Sequence, residues 1–172
     1  GEDALDQALP GDFSIVSMDD ADARWLVVED LDVGSARFWT WDRKAKKAEL
    51  LFSSRPKLDG LPLAAMTPVS IPARDGLNLP GYLSLPPGKT KPVPMVLYVH
   101  GGPWGRDTWG YDGVAQLLAN RGYAVLQVNF RASAGYGKRF LNAGNRQWGL
   151  SMHDDLLDAV NWAVKEGVTT PK

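Results

Sequence analysis

The sequence predicts an α/β protein whose sheet is preceded by a β-rich segment, and three observations support this fold class. Four short β-type runs, spaced about ten residues apart, occupy the first third of the chain. The pattern breaks near residues 55–62, where proline, glycine and charged residues collect. Beyond that break, apolar strands alternate with helical segments, which is typical of a parallel sheet with right-handed crossovers. We therefore predict a β-rich segment with its linker at residues 1–61 and an α/β segment at residues 62–172.

The β-rich segment consists of four runs separated by polar turns. The runs cover residues 13–17, 25–29, 37–42 and 49–52. Their spacing is compatible with a sandwich, a barrel or a single propeller blade. Residues 43–47 form a basic turn between the last two runs, but the chain has 19 Lys and Arg against 20 Asp and Glu. We interpret the turn as a solvated hairpin, and we expect no nucleic-acid partner.

The α/β segment is predicted to begin with a hairpin and to continue with buried strands. Asp75-Gly76 is a strong turn signal between β-type runs at residues 69–72 and 79–85. Residues 95–99 and 124–128 are continuous apolar runs. Such runs indicate strands that are covered on both faces.

Two helices are predicted to accompany these strands. The first covers residues 111–120 and is ended by Gly122. The second begins at Ser151 and carries leucine, valine and alanine on one side. Ser151 and Asp154 have the spacing of a capping box, in which side chains satisfy free N–H groups of the first turn.

Composition excludes several classes of site. The chain contains no cysteine, which removes disulfides, thiolate metal sites and a cysteine nucleophile. It has two histidines and no clustered carboxylates at ligand spacing, so we expect neither a metal nor a cofactor. Its longest apolar run is far below the roughly 20 residues that span a bilayer, and we expect no membrane partner. No signal peptide is visible at the start, and the compartment is left open.

The segment from His100 to Gly105 is the most informative part of the chain, because two adjacent glycines directly follow a predicted buried strand. Gly101 and Gly102 allow a sharp turn and leave backbone amides uncovered by side chains. Exposed N–H groups at the carboxyl end of a parallel strand can stabilise an oxyanion. The alternative is a plain turn between strand and loop. We interpret His100 as a residue that braces the glycine loop and not as a catalytic base.

No serine in the chain has the surroundings of a nucleophile. The Gly-x-Ser-x-Gly pattern is absent: Ser133 follows an arginine in place of the first glycine, and Ser151 is better used at the helix start. His153 is expected to be a partly exposed residue on the surface of that helix. Gly135-Tyr136-Gly137 is too short for a phosphate or dinucleotide loop, so we predict a tight loop there.

Several short motifs follow one another along the α/β segment in a recognisable order. They are His-Gly-Gly-Pro-Trp at 100–104, Gly-Tyr-Ala-Val at 122–125, Asn-Phe-Arg at 129–131, Gly-Tyr-Gly at 135–137, Phe140, Trp-Gly at 148–149 and Asp-Asp-Leu at 154–156. Together they resemble the prolyl oligopeptidase family of serine peptidases, in particular its acylaminoacyl-peptidase and dipeptidyl-aminopeptidase branch. The resemblance covers about residues 64–172, while residues 12–54 are similar by position to a last β-propeller blade of that family.

The resemblance implies the N-terminal half of an α/β-hydrolase sheet and a peptidase that acts on short peptides through an acyl-enzyme. It implies that the N–H of Gly102 is one oxyanion-hole donor, on a loop supported by His100, Gly101 and Pro103. Trp104 and Tyr136 are candidates for lining the peptide site, with packing in the core or loop as the alternative. The second donor and the Ser-Asp-His triad are expected beyond this chain, which alone should be inactive.

Two partners and two other functions remain open from the sequence. In the resembled fold, a strand that this chain does not contain would flank residues 95–99. Here those residues are expected to form an open sheet edge, which could bind the remainder of the hydrolase domain or a second copy of the chain. The first alternative function is a carboxylesterase of the His-Gly-Gly class, although the four β-runs argue against it. The second is a non-catalytic module whose β-rich half binds protein or sugar.

Overall fold

The computed structural model describes residues 2–171 and divides into two compact units. The first unit contains the chain up to Leu63 together with Gly110–Asp112. The second contains Ala64–Trp109 and the chain from Gly113 onward. That these units are separate domains with a boundary after residue 61 stays a prediction. Among the described residues, no helix has the length and apolar character needed to cross a membrane.

The first unit is a four-stranded antiparallel sheet with strands in chain order. The strands are β1 (Asp12–Met18), β2 (Arg24–Asp30), β3 (Arg37–Asp42) and β4 (Lys47–Ser53). All four predicted β-runs are confirmed, each to within two residues at either end. A helix that the sequence analysis did not predict, α1 (Glu2–Ala8), precedes them.

The core of the first unit lies on one face of this sheet. Trp25 pairs with Trp41 across β2 and β3, and both indoles are buried. Leu5 of α1 is fully buried in the same cluster. The period of two along β2 places Trp25 and Val27 on the face that packs with Leu5, which explains why the short helix stays on the sheet.

The second unit contains a four-stranded mixed sheet with helices. The strands are β5 (Met66–Pro72), β6 (Asn78–Ser84), β7 (Met95–Tyr98) and β8 (Ala124–Val128), in the order β5-β6-β8-β7. β7 and β8 are parallel, whereas β5, β6 and β8 pair antiparallel. The helices are α2 (Gly113–Ala119), α3 (Lys138–Asn142) and α4 (Ser151–Lys165). The predicted α/β fold class is confirmed, with a hairpin attached to the parallel pair.

Burial of the two parallel strands differs from the prediction in one respect. All residues of β8 are buried, as expected. The prediction that both faces of residues 95–99 are covered was wrong, because every residue of β7 is only half-buried and Val99 is exposed. Within the described residues, β7 pairs with β8 alone and forms the edge of the sheet. A strand at the edge of a sheet is less buried because no neighbouring strand packs along its outer side.

The predicted capping box at the start of α4 was also wrong. Leu150 occupies the N-cap position without a side-chain cap, and Ser151 donates its hydroxyl to Gln147 Oε1 at 3.0 Å. The Met152 N–H donates to the Gln147 carbonyl at 3.3 Å. The preceding turn thus satisfies part of the helix start, and Asp154 is free to bind Arg74 instead.

Helix α4 packs on the sheet through small residues. Ala159 and Ala163 are fully buried and lie one turn apart, beside Leu126 of β8. Small side chains at this spacing allow a close approach of helix and sheet. The first turn of α4 is thereby fixed near the carboxyl ends of β7 and β8.

Candidate active site

The loop of His100–Gly105 follows the carboxyl end of β7 and carries two free backbone amides. In the described part of the chain, the N–H groups of Gly101 and Gly102 donate to no protein acceptor. Both glycines are exposed. Free N–H groups are required of an oxyanion-hole donor, because an amide already bound to a carbonyl cannot stabilise a developing negative charge.

Only glycine fits at position 102. Gly102 has φ +134°, a conformation that residues with a side chain rarely adopt. A Cβ atom there would lie 2.6 Å from both the Trp104 and the Gly105 backbone nitrogens. The neighbouring Gly101 has open space around its Cβ position. The second glycine of the pair is therefore the one that shapes the loop.

His100 lies against the loop through both ring nitrogens. Its Nδ1 is 2.9 Å from the Gly101 carbonyl oxygen, and its Nε2 is 2.8 Å from the Ser133 hydroxyl. The ring stacks on Phe130, with 4.6 Å between centroids and 15° between planes. An imidazole held in this way has no free nitrogen for proton transfer, and these are the contacts that a bracing residue would make.

Two further contacts join this loop to the segment after β8. Asn129 is fully buried; its Oδ1 accepts the Asp107 N–H at 2.8 Å and its Nδ2 donates to the Asp107 carbonyl at 3.1 Å. The Ala134 N–H donates to the Gly105 carbonyl at 3.0 Å. Residues 129–134 thus hold the end of the glycine loop and the segment that follows it.

An apolar pocket of about 350 Å³ lies beside Gly102. Its lining residues are His100, Gly102, Pro103, Phe130, Trp148, Gly149, Met152, His153 and Leu156. Pro103 is buried, and His153 is exposed on α4. An apolar pocket next to free N–H groups combines apolar contacts with hydrogen-bond donors, which is typical of ligand-binding sites.

Of the two candidate substrate-binding aromatic residues, Trp104 contacts a residue of this pocket and Tyr136 does not. Trp104 is 59% exposed and makes an edge contact with Trp148 of the pocket, with 6.4 Å between ring centroids. Tyr136 does not line this pocket. Its hydroxyl accepts a hydrogen bond from Asn129 Nδ2 at 2.8 Å, and its ring packs on Phe140. Burial raises the pKa of the Tyr136 hydroxyl. A role of Tyr136 in loop packing accounts for these contacts.

Arg131 forms a buried ion-pair network that the sequence analysis did not predict. Its guanidinium donates to both Asp155 oxygens at 2.7 and 2.8 Å, and its backbone N–H donates to Asp155 at 2.9 Å. It also pairs with Asp75 at 2.8 Å. The hydrogen bonds that Arg131 donates to Asp155 raise the pKa of Arg131, and those that it donates to Asp75 lower the pKa of Asp75. The network fixes the segment after β8 to α4 and to the β5–β6 turn.

Comparisons with known protein families and proteins identify relatives of this chain. The sequence model of the prolyl oligopeptidase family matches residues 109–172. Dipeptidyl aminopeptidase BIII of Pseudoxanthomonas mexicana is 52% identical over 169 residues, which are 94% of this chain and 24% of that protein. The chain belongs to the prolyl oligopeptidase family. The match to the aminopeptidase includes the β-rich unit as well as the α/β unit.

Two further members of the prolyl oligopeptidase family agree with this assignment. Dipeptidyl peptidase family member 6 of Caenorhabditis elegans is 41% identical over 180 residues, which are 92% of this chain and 24% of that protein. The acylaminoacyl peptidase of Pyrococcus horikoshii has the same fold, with a TM-score of 0.73, 25% identity, and coverage of 92% of this chain and 26% of its own. The chain spans about a quarter of the length of the relatives it matches.

The remaining serine candidates of this prolyl oligopeptidase family chain are bound to other side chains. Ser133 is fully buried and bound to His100, and Ser151 binds Gln147 at the helix start. Among residues 2–171, no group of three or more histidine or carboxylate side chains could hold a metal ion.

Proposed function

We propose that this chain supplies the oxyanion-hole loop of a serine peptidase, with the N–H of Gly102 as one of the two donors. The observation that carries the proposal is the unpartnered Gly102 amide, which lies beyond β7 and beside an apolar pocket. An N–H group in this position strengthens its hydrogen bond as the carbonyl oxygen of the substrate becomes negative. Such a donor lowers the barrier of acyl transfer by about 3–4 kcal/mol.

The substrates in this proposal are short peptides. The related proteins named above are an aminopeptidase, a dipeptidyl peptidase and an acylaminoacyl peptidase, all of them named for cleavage of peptides. A serine hydroxyl attacks the peptide carbonyl, and a histidine takes the hydroxyl proton and passes it to the leaving amine. An aspartate orients the histidine, and water then hydrolyses the acyl-enzyme.

The triad itself is proposed to come from residues outside this chain. The chain has no Gly-x-Ser-x-Gly sequence, and its two best-placed serines have other partners. His100 is engaged through both ring nitrogens, which leaves it unsuited to act as the base. The chain alone should therefore hydrolyse neither peptides nor esters.

Hydrolysis of a fluorogenic dipeptide substrate tests this proposal. We expect no turnover from the 172-residue chain. A longer protein that contains this chain and a following serine-bearing segment should cleave the substrate, and a serine-directed phosphonate should abolish the cleavage. Inhibitor-sensitive turnover by the chain alone, or none by the longer protein, contradicts the proposal.

The partner proposed for β7 is another β-strand. Within the described residues β7 pairs on one side only, and its residues are apolar. Unpaired N–H and C=O groups on an apolar edge favour pairing with a further strand. We propose that this strand comes from the remainder of the hydrolase domain, or from a second copy of the chain when that remainder is absent.

A further inference from the structure

The orientation of the Gly102 amide depends on the peptide group to which it belongs. The Gly101–Gly102 peptide is trans, so the Gly101 carbonyl and the Gly102 N–H point in opposite directions. His100 Nδ1 lies 2.9 Å from that carbonyl oxygen. A contact that holds the carbonyl toward the His100 ring therefore holds the N–H away from the ring.

The Gly101 carbonyl is enclosed from a second side. A Cβ atom on Gly105 would lie 2.6 Å from the Gly101 oxygen and 3.3 Å from His100 Nδ1. The backbone of Gly105 is thus packed directly against this hydrogen bond. The peptide has little room to rotate while the His100 contact is intact.

The two partners of the imidazole determine where its proton lies. A carbonyl oxygen can only accept a hydrogen bond, so Nδ1 of His100 must carry the proton. In the neutral ring Nε2 is then an acceptor, and the Ser133 hydroxyl, which can donate, lies 2.8 Å from it. Stacking on Phe130 fixes the plane of the ring.

Ser133 is itself held without freedom to move. It is fully buried, and its N–H donates to the Phe130 carbonyl at 3.0 Å. Ala132 before it adopts φ +80°, and Arg131 is bound through backbone and side chain to Asp155. A hydroxyl on this rigid segment is a fixed donor to the imidazole.

We infer that Ser133 is a positioning residue: its hydroxyl anchors the His100 ring, and the ring, through the bond of Nδ1 to the Gly101 carbonyl, fixes the peptide group that carries the Gly102 N–H. The inference rests on the proposed role of Gly102 as an oxyanion donor. It gives the buried serine a function that requires neither exposure nor nucleophilicity. It also makes the Asp155–Arg131 pair part of the support of the site.

Nuclear magnetic resonance of the ¹⁵N-labelled 172-residue chain tests the inference without any catalytic assay. At a pH where imidazole is neutral, Nδ1 of His100 should have the chemical shift of a protonated nitrogen and Nε2 that of an unprotonated one. His153 is exposed and serves as the internal reference for an unconstrained ring. A protonated Nε2 with an unprotonated Nδ1 on His100 would overturn the inference before any variant is made.

A pair of variants then separates positioning from packing. Ser133→Ala removes the hydroxyl that anchors Nε2 of His100, and it should therefore change the chemical shifts of the His100 ring nitrogens and of the Gly102 amide. Ser84→Ala removes another buried serine hydroxyl, in β6, and should leave both signals as in the wild type. Wild-type His100 and Gly102 signals in Ser133→Ala would overturn the inference.

The failure of this inference is distinguishable from failure of the proposed function. If the tautomer and the Gly102 response are as expected but the longer protein cleaves no peptide, the proposed function fails and the positioning role of Ser133 stands. If the longer protein cleaves peptides while Ser133→Ala leaves both signals unchanged, only the positioning role fails.

Discussion

Arg131 joins three segments of the α/β unit through one guanidinium. The group is 8% exposed and lies between Asp155, which is fully buried, and Asp75 of the β5–β6 turn. Two charges removed from water are favourable only when their geometry and hydrogen bonds compensate the loss of hydration. The bidentate contact with Asp155 meets that condition. Removal of either partner therefore leaves the other charge buried without this bidentate contact.

Substitution of Asp155 should therefore lower the free energy of unfolding strongly, whereas substitution of the neighbouring Asp154 should lower it little. Asp155→Ala is expected to lower the free energy of unfolding by about 3 kcal/mol, the lower end for a broken buried pair because Asp75 remains. Asp154→Ala removes an exposed partner of Arg74 on the same helix and should cost far less. Urea denaturation followed by circular dichroism measures both, and equal losses would contradict the account.

Asp75 makes stability depend on acid pH. Its pKa is lowered in the folded chain by hydrogen bonds from Arg131, so the folded state binds the proton less tightly than the unfolded state. The resulting stabilisation is present above the unfolded pKa of about 3.9 and is lost as the pH falls through the lower folded pKa. Asp75→Asn should thus be less stable than the wild type near neutral pH, and the gap should close in acid.

The measurement is the urea midpoint between about pH 6 and pH 2, with exposed Asp3→Asn as the control. Asp3→Asn should follow the wild type across the range. A gap between Asp75→Asn and the wild type that stays constant with pH would show that the Arg131 contact does not stabilise the folded chain.

At the residue scale, the sequence predicted those features that depend only on neighbouring residues in the chain. The pair Gly101 and Gly102 stands out because adjacent glycines after an apolar run predict a turn with bare amides. The partners of His100 and Arg131 lie 33 and 24 positions further along the chain, so no local pattern reveals them. The capping box failed for a different reason, because Gln147, four residues before Ser151, binds the Ser151 hydroxyl at the helix start.

At the element scale, alternation and apolar runs were sufficient to predict the strands. The burial of β2 alternates with the period of two that a sheet with one buried face requires, whereas in β3 only Trp41 is buried. Helix α1 was missed because seven residues carry too few turns to show a helical period. The burial of β7 was misjudged because an apolar run does not reveal how far a strand is covered, although the resemblance did predict the open edge that β7 forms.

The edge position of β7 leads to a prediction on association. If the edge pairs with a second copy, size-exclusion chromatography with light scattering should give a dimer that dissociates on dilution. Addition of the serine-bearing remainder of the hydrolase domain should displace the second copy, because both would use the same N–H and C=O groups. A monomer at every concentration, with no binding of that remainder, would contradict the proposed use of the edge.

At the scale of the whole molecule, the change of sequence pattern near residues 55–62 predicted two kinds of structure, and the chain has two compact units. The inclusion of Gly110–Asp112 in the first unit has no sequence signal, because it depends on contacts between distant segments. The carboxylesterase and binding-module alternatives lose support from relatives named as peptidases that match both units.

The most direct test of the central claim is the turnover number of the longer protein after Gly102→Ala. An added Cβ cannot fit beside the Trp104 and Gly105 nitrogens, so the amide must move. Gly88→Ala is the matched control, since Gly88 also has a positive φ but has open space and lies outside the site. We predict that Gly102→Ala lowers kcat by about 100- to 1000-fold with little change in KM, while Gly88→Ala keeps the wild-type kcat. A wild-type kcat in Gly102→Ala would contradict the assignment of this amide as the oxyanion donor.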